Sequence, residues 1–146
     1  MTDLITEDMM VPSEPGIDIF VRNKRPTNLA KYTPERTLLF VHGSTYPAHT
    51  GFDMPLGGQS WMEAIAARGY DVYCLDVRGY GRSTRPAAMA EPPQNNPPVA
   101  RTPDAVKDIT AVLGLSAASG ARGLLQTARR KLRRALAESG AEQGGP

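Results

Sequence analysis

Up to about residue 113 the apolar residues of this chain gather into short blocks, separated by long polar stretches rich in proline and glycine. Thr37-Leu-Leu-Phe-Val41 and Asp71-Val-Tyr-Cys-Leu75 contain apolar and β-favouring residues with no polar alternation. That predicts strands buried on both faces, as inside a parallel sheet. Leu4 to Val11 and Ile17 to Val21 flank the turn-forming run Pro12-Ser-Glu-Pro-Gly16 and predict an antiparallel hairpin. Asn23 to Arg36, with Pro26, Pro34 and scattered charges, predicts a surface loop. A helix is predicted over Ser60 to Arg68. Ser60 caps it, Glu63 stands three residues on as in a capping box, Gly69 closes it, and Trp61, Ile65 and the alanines face the sheet. A second helix is predicted over Pro103 to Leu113, capped by Thr102, with Val106, Ile109, Val112 and Leu113 as its apolar stripe.

Chemistry is expected where the two buried strands end. Thr37–Val41 runs into His42-Gly43-Ser44-Thr45, where Gly43 allows a sharp turn and close approach of a ligand to the backbone. The Ser44 and Thr45 N–H groups would then stand at the carboxyl end of a strand, where open α/β sheets hold ligands, as an oxyanion hole requires. Ser44 to Gly58 has no regular periodicity and reads as a long loop beside that turn. Its Tyr46, Phe52 and Met54 either line an acyl or alkyl pocket or pack the loop onto the domain. Asp71–Leu75 runs into Asp76-Val-Arg-Gly-Tyr-Gly-Arg-Ser83. There Gly79 and Gly81 permit a tight exit, while Asp76, Arg78 and Arg82 can tie the loop by charge-assisted hydrogen bonds, a structural role. A third glycine is lacking, so this is not a dinucleotide fingerprint.

A strand ending in His42-Gly43, then a helix, then a strand running into Asp76-Val-Arg-Gly-Tyr-Gly-Arg-Ser83 resembles the front half of an α/β-hydrolase. The resemblance covers the chain to about Leu113. It implies an α/β fold with a partial hydrolase sheet made of the N-terminal hairpin, two buried parallel strands and flanking helices. In that family the first loop gives one oxyanion N–H and a later G-x-S-x-G elbow gives the other. It also implies a small-molecule acyl ester or amide as substrate in a complete homologue, and a loop-shaping role for His42 and Gly43. The second motif, Asp76, Arg78, Gly79, Gly81 and Ser83, is then structural.

Composition narrows this further. With 146 residues one domain is expected, and a complete hydrolase sheet needs appreciably more chain. No apolar run approaches the ~20 residues of a membrane span, and the acidic N-terminus gives no secretory signal, so a cytoplasmic location is the default. The single cysteine, Cys74, excludes a multi-cysteine metal site and reads as a core residue; no metal or cofactor is expected. A net charge of +2 does not argue for a nucleic-acid partner.

Past Gly114 the chain contains no Ile, Val, Met, Phe, Tyr, Trp, Cys, His, Asp or Asn. Gly114-Leu-Ser116-Ala-Ala118 lacks the second glycine of an elbow, and no histidine follows His49, so Ser116 reads as a linker serine. Residues 1–113 are thus expected to form the N-terminal part of a hydrolase domain. Residues 114–146 form an unrelated helical or disordered tail, a frameshift product or a real extension. The expected function is that of a hydrolase-family protein truncated before its nucleophile and inactive alone. The alternative is a non-catalytic interaction module using the basic amphipathic stretch Leu124 to Glu138.

Overall fold

A computed structural model describes residues 3–29, 33–96 and 98–114. Four strands form one mixed sheet: β1 (Leu4–Glu14), β2 (Ile17–Pro26), β3 (Thr37–Val41) and β4 (Asp71–Leu75), in the order β1-β2-β4-β3. β1 pairs antiparallel with β2 across the tight turn at Gly16, β2 pairs antiparallel with β4, and β3 pairs parallel with β4. Two short helices, α1 (Ala48–Phe52) and α2 (Trp61–Ala66), join β3 to β4, and α3 (Thr102–Val112) follows later.

Alternation along the strands sorts the core onto two faces. Val72 and Cys74 pack with Ala48, Met62 and Ala66, joined by Leu38 and Phe40. Leu75 and Val77 pack with Ile19 and Val21 on the other side, where Leu39 and the α3 residues Ala105, Ile109 and Val112 meet them. The sheet is therefore covered by α1 and α2 on one face and by α3 on the other, the layer arrangement of an α/β fold. Cys74 is fully buried in the central strand, and burial, reinforced by the nearby charges of Asp76 and Asp53, pushes its thiol up to about 12. Among the described residues no helix is long and apolar enough to cross a membrane.

The elements depart from expectation in several places: β1 runs through Pro12 to Glu14, where the turn was expected, and α2 ends at Ala66 rather than Arg68. β4 is buried between two neighbours as predicted, whereas β3 is an edge among the described strands and none of its five residues is buried. β2 runs on through Asn23–Pro26, where a loop was expected. Asn23 and Lys24 are buried there because each has partners. Asn23 donates to Asp71 Oδ1 at 2.7 Å, and Lys24 Nζ sits 2.8 Å from Asp53 and 2.7 Å from Glu63. Ser60 and Glu63 form the reciprocal capping box of α2, a device worth about 1 kcal/mol. Met62 and Ala66 are the buried residues of that helix, while Trp61 is 67% exposed. α3 begins one residue earlier than expected, with Arg101 as its N-cap donating its N–H to Asp104, and Leu113 is exposed.

Candidate functional site

Parallel pairing of Val41 with Leu75 brings the carboxyl ends of β3 and β4 side by side, and with them the two loops that follow. The loops interlock through one ring. Val77 N–H donates to His42 Nε2 at 2.9 Å, so that nitrogen carries no proton, and Nδ1 donates to the Gly43 carbonyl at 2.5 Å. Tyr80, from the second loop, lies 4.7 Å from the His42 ring and donates its hydroxyl to the Ser44 carbonyl at 2.9 Å. Two successive carbonyls are thereby held. In a trans peptide the N–H points opposite to the C=O, so the Ser44 and Thr45 amides are directed away from these anchors. Neither amide has a hydrogen-bond partner among the described residues.

Gly43 has no positive φ, and a Cβ there would meet nothing within 4 Å, so neither backbone geometry nor protein packing requires glycine at this turn. Cavities open on either side of it. One, about 210 Å³, lies between the turn and Val77, Tyr80, Ala100 and Thr102. The other, about 250 Å³, runs from His42, Gly43 and Thr45 to Tyr46, Pro47 and Phe52. Of the three expected lining residues, Tyr46 and Phe52 meet in that second cavity. Met54 lies in an adjoining cleft of about 350 Å³ that also contains Phe52. The stretch is less irregular than expected, because α1 and a single helical turn at Leu56–Gly58 interrupt it.

The second motif is engaged inside the protein. The fully buried Asp76 carboxylate accepts from the backbone N–H groups of His49 at 3.3 Å and Arg82 at 3.1 Å. It also holds His49 Nδ1 at 2.6 Å, and the His49 ring stands edge-on to Phe20. Ser83 Oγ accepts from the Phe20 N–H and donates to the Asp76 carbonyl, tying this loop to β2. Gly79 and Gly81 do require glycine: both have positive φ, and a Cβ would come 2.8 Å from Met89 Sδ at the first and fall on the Asp76 carboxylate at the second. Arg78 and Arg82 reach beyond their own loop. Arg82 bonds Asp8 on β1, while Arg78 bonds Asp108 on α3 and Glu14 on β1. These partners hold the Arg78 guanidinium firmly charged.

Asp108 and Asp53 were not read from the sequence as functional or structural centres. Asp108 sits among Ala105, Ile109 and Val112 at helical spacing, and an acid on a buried stripe is the signal that a cation must meet it. Asp53 bonds Ser60, Arg22 and Lys24, joining β2 to α2. Burial alone would lower the Lys24 pKa, but the hydrogen bonds that Lys24 donates to Asp53 and Glu63 outweigh it and raise it. Among the described residues no three His, Cys, Asp or Glu side chains come together as a metal site. Ser116 and the basic stretch Leu124 to Glu138 lie outside the described residues.

A family model described as the alpha/beta hydrolase fold matches residues 36–119 of this chain. A hypothetical protein from Pseudomonas aeruginosa has a similar structure, with a TM-score of 0.53 and 14% identity over 76% of this chain and 30% of that one. An α-amino acid ester hydrolase superposes with a TM-score of 0.50 and 20% identity, over 77% of this chain and 18% of that one. The chain spans between 18% and 36% of the length of such structures. No curated protein sequence matches it.

Proposed function

The chain belongs to the α/β-hydrolase fold family, and from that premise we propose that it carries the carbonyl-binding part of an acyl hydrolase site, with the Ser44 and Thr45 N–H groups as oxyanion donors. The observation that carries this reading is the pair of unpartnered amides whose own carbonyls are held by His42 and Tyr80. During attack on an ester, amide or similar acyl carbon, the carbonyl oxygen gains negative charge. Fixed N–H groups facing it need no reorganisation, and each such donor is worth about 2.7–4 kcal/mol to the transition state. The open space over Gly43 supports the same reading, since a ligand oxygen can approach the backbone there. Tyr46, Phe52 and Met54 would line the path of the acyl group.

Residues 1–146 do not supply the rest of the reaction on this reading. His42 has both ring nitrogens committed, and His49, the other histidine, meets Asp76 through Nδ1 with no serine hydrogen-bonded to its ring among the described residues. The sequence holds no G-x-S-x-G elbow, so no nucleophile is paired with a base and the 146-residue chain is inactive by itself. Its acid, base and nucleophile would come from further chain of the kind that complete relatives possess.

An assay of the 146-residue protein on a panel of p-nitrophenyl esters should give no turnover above background. Adding a chain segment bearing a G-x-S-x-G elbow and the later acid and histidine should give turnover, and Ser44→Pro, which removes the N–H, should abolish it. Serine-dependent turnover by the 146-residue chain alone would refute the claim of inactivity. Full activity of the complemented Ser44→Pro variant would refute the assignment of Ser44.

A further inference from the structure

Phe40, Phe52 and Trp61 form a cluster of three rings at the edge of the core. Phe40 and Phe52 stack at 4.4 Å with 14° between their planes, and Trp61 closes the triangle at 6.4 Å from Phe52 and 6.3 Å from Phe40. The cluster opens to solvent at Trp61, which is 67% exposed, beside Met54 and Leu56 at 49% and 77%. These side chains wall a concave cleft of about 350 Å³, within the range of small-ligand sites. Trp61, Met54 and Leu56 are exposed together around one cleft rather than scattered singly.

Charge is excluded from the cleft by a specific arrangement. Asp53 belongs to the same stretch of chain, yet its carboxylate turns inward to Ser60, Arg22 and Lys24 and is almost fully buried. The polar groups left along the wall are the Thr50 hydroxyl and the Gln59 amide. The cleft also shares Gly51 and Phe52 with the cavity that reaches His42, Gly43 and Thr45. The two cavities therefore adjoin at Gly51 and Phe52, which lie between Trp61 and the Thr45 end of the turn.

We infer that this cleft binds an uncharged aryl or arylalkyl group, packed against the rings of Trp61 and Phe52 that wall it, whose carbonyl points back toward the Ser44 and Thr45 amides. The inference rests on the carbonyl-binding reading for the ligand's orientation and deepens it by naming the substrate class: neutral aromatic acyl compounds rather than acids, amines or sugars. A charged group would lose its hydration here without a partner.

Trp61 is the only tryptophan, so its emission reports the cleft alone. The 146-residue protein should be titrated with benzylacetone, an unreactive neutral aryl ketone, and with hydrocinnamate, an anion of similar size. A saturable change in Trp61 emission is expected with the ketone, and at least about tenfold weaker binding with the anion. Gly51 gives a plug for the junction of the two cavities. A Cβ there meets nothing within 4 Å, so Gly51→Leu should leave the circular dichroism and thermal midpoint intact while weakening the ketone by about tenfold.

No saturable response, equal affinity for the anion, or undiminished binding by Gly51→Leu would each overturn the inference. So would a Trp61 emission that shifts with protein concentration in step with dimerisation in sedimentation, because a second copy would then cover the cleft. Ester turnover by the complemented protein without a Trp61 response would remove the aromatic site and leave the carbonyl-binding reading standing. A Trp61 response without such turnover would do the reverse.

Discussion

Asp108 of α3, fully buried, holds the guanidinium of Arg78 through Nη2 at 2.6 Å and Nε at 3.1 Å, and accepts the Arg78 backbone N–H at 3.0 Å. This one carboxylate fastens α3 to the loop that follows β4. It also accepts from Ser13 Oγ at 2.8 Å, so the β1 end of the hairpin is joined to the same point.

Removing Arg78 leaves the fully buried Asp108 carboxylate without a cation, which costs about 3–5 kcal/mol, whereas removing Asp108 leaves Arg78 its pair with Glu14. Arg78→Met should therefore unfold the protein at a much lower urea concentration, and Asp108→Leu should cost less. Arg78→Met with Asp108→Leu should recover much of that loss, since an apolar pair of similar volume is often tolerated. A double-mutant cycle by urea denaturation measures both effects, and independent, additive losses would contradict the pairing.

His42→Phe retains a ring against Tyr80 but leaves the Val77 N–H without its acceptor. The expected loss is about 1–3 kcal/mol in urea denaturation. Tyr80→Phe removes an exposed hydrogen bond to Ser44 and should cost less, about 0.5 kcal/mol. Equal effects of the two variants would mean that the His42 bridge is not what joins the loops.

Two backbone sites should respond in opposite directions to exchange of glycine and alanine. Ala100 has φ of 59°, a left-handed conformation that costs an L residue about 1–2 kcal/mol. Ala100→Gly should raise the thermal midpoint, with a net gain of about 0.5 kcal/mol after the entropy lost by glycine. Gly81→Ala meets both a positive φ and the Asp76 carboxylate and should lose more than about 2 kcal/mol.

Acid should destabilise the protein through three carboxylates. Hydrogen bonding by Arg22, helped by its charge and that of Arg82, holds Asp8 below its usual 3.8. Lys107 and then Arg78 do the same for Glu14, and Lys24 and the Ser60 N–H for Glu63, both below 4.5. Each group binds its proton more weakly folded than unfolded. The stability they contribute is thus complete above those usual values and is lost as pH falls through the folded ones. Urea midpoints measured between about pH 6 and pH 3 should decline most steeply below about pH 4.5, and Asp8→Asn should make the decline shallower.

The parts of the fold written in apolar residues were legible in the sequence, and the parts written in paired polar residues were not. Thr37–Val41, Asp71–Leu75 and the Ser60–Glu63 cap are local patterns, and the structure repeats their boundaries closely. Asn23 and Lys24 looked like loop because burial of a polar side chain depends on partners remote in sequence, here Asp71, Asp53 and Glu63. Trp61 was assigned to the core by its hydrophobicity. Helical phase decides instead: Met62 and Ala66, four apart, fill the sheet-facing side of α2 and leave Trp61 outside. At the candidate site the Tyr80 bond to the Ser44 carbonyl spans 36 residues and had no local signature.

The placement of Cys74 makes the molecule its own stopwatch. In the assembled sheet its thiol is buried and pushed up to about 12, so essentially no thiolate exists near neutral pH to meet an alkylating reagent. When β4 parts from β2 and β3, the thiol regains an ordinary value of about 8.5 and reacts. With a single cysteine in the chain, the rate of alkylation counts how often the central strand comes loose, and its dependence on urea separates small local openings from loss of the whole domain.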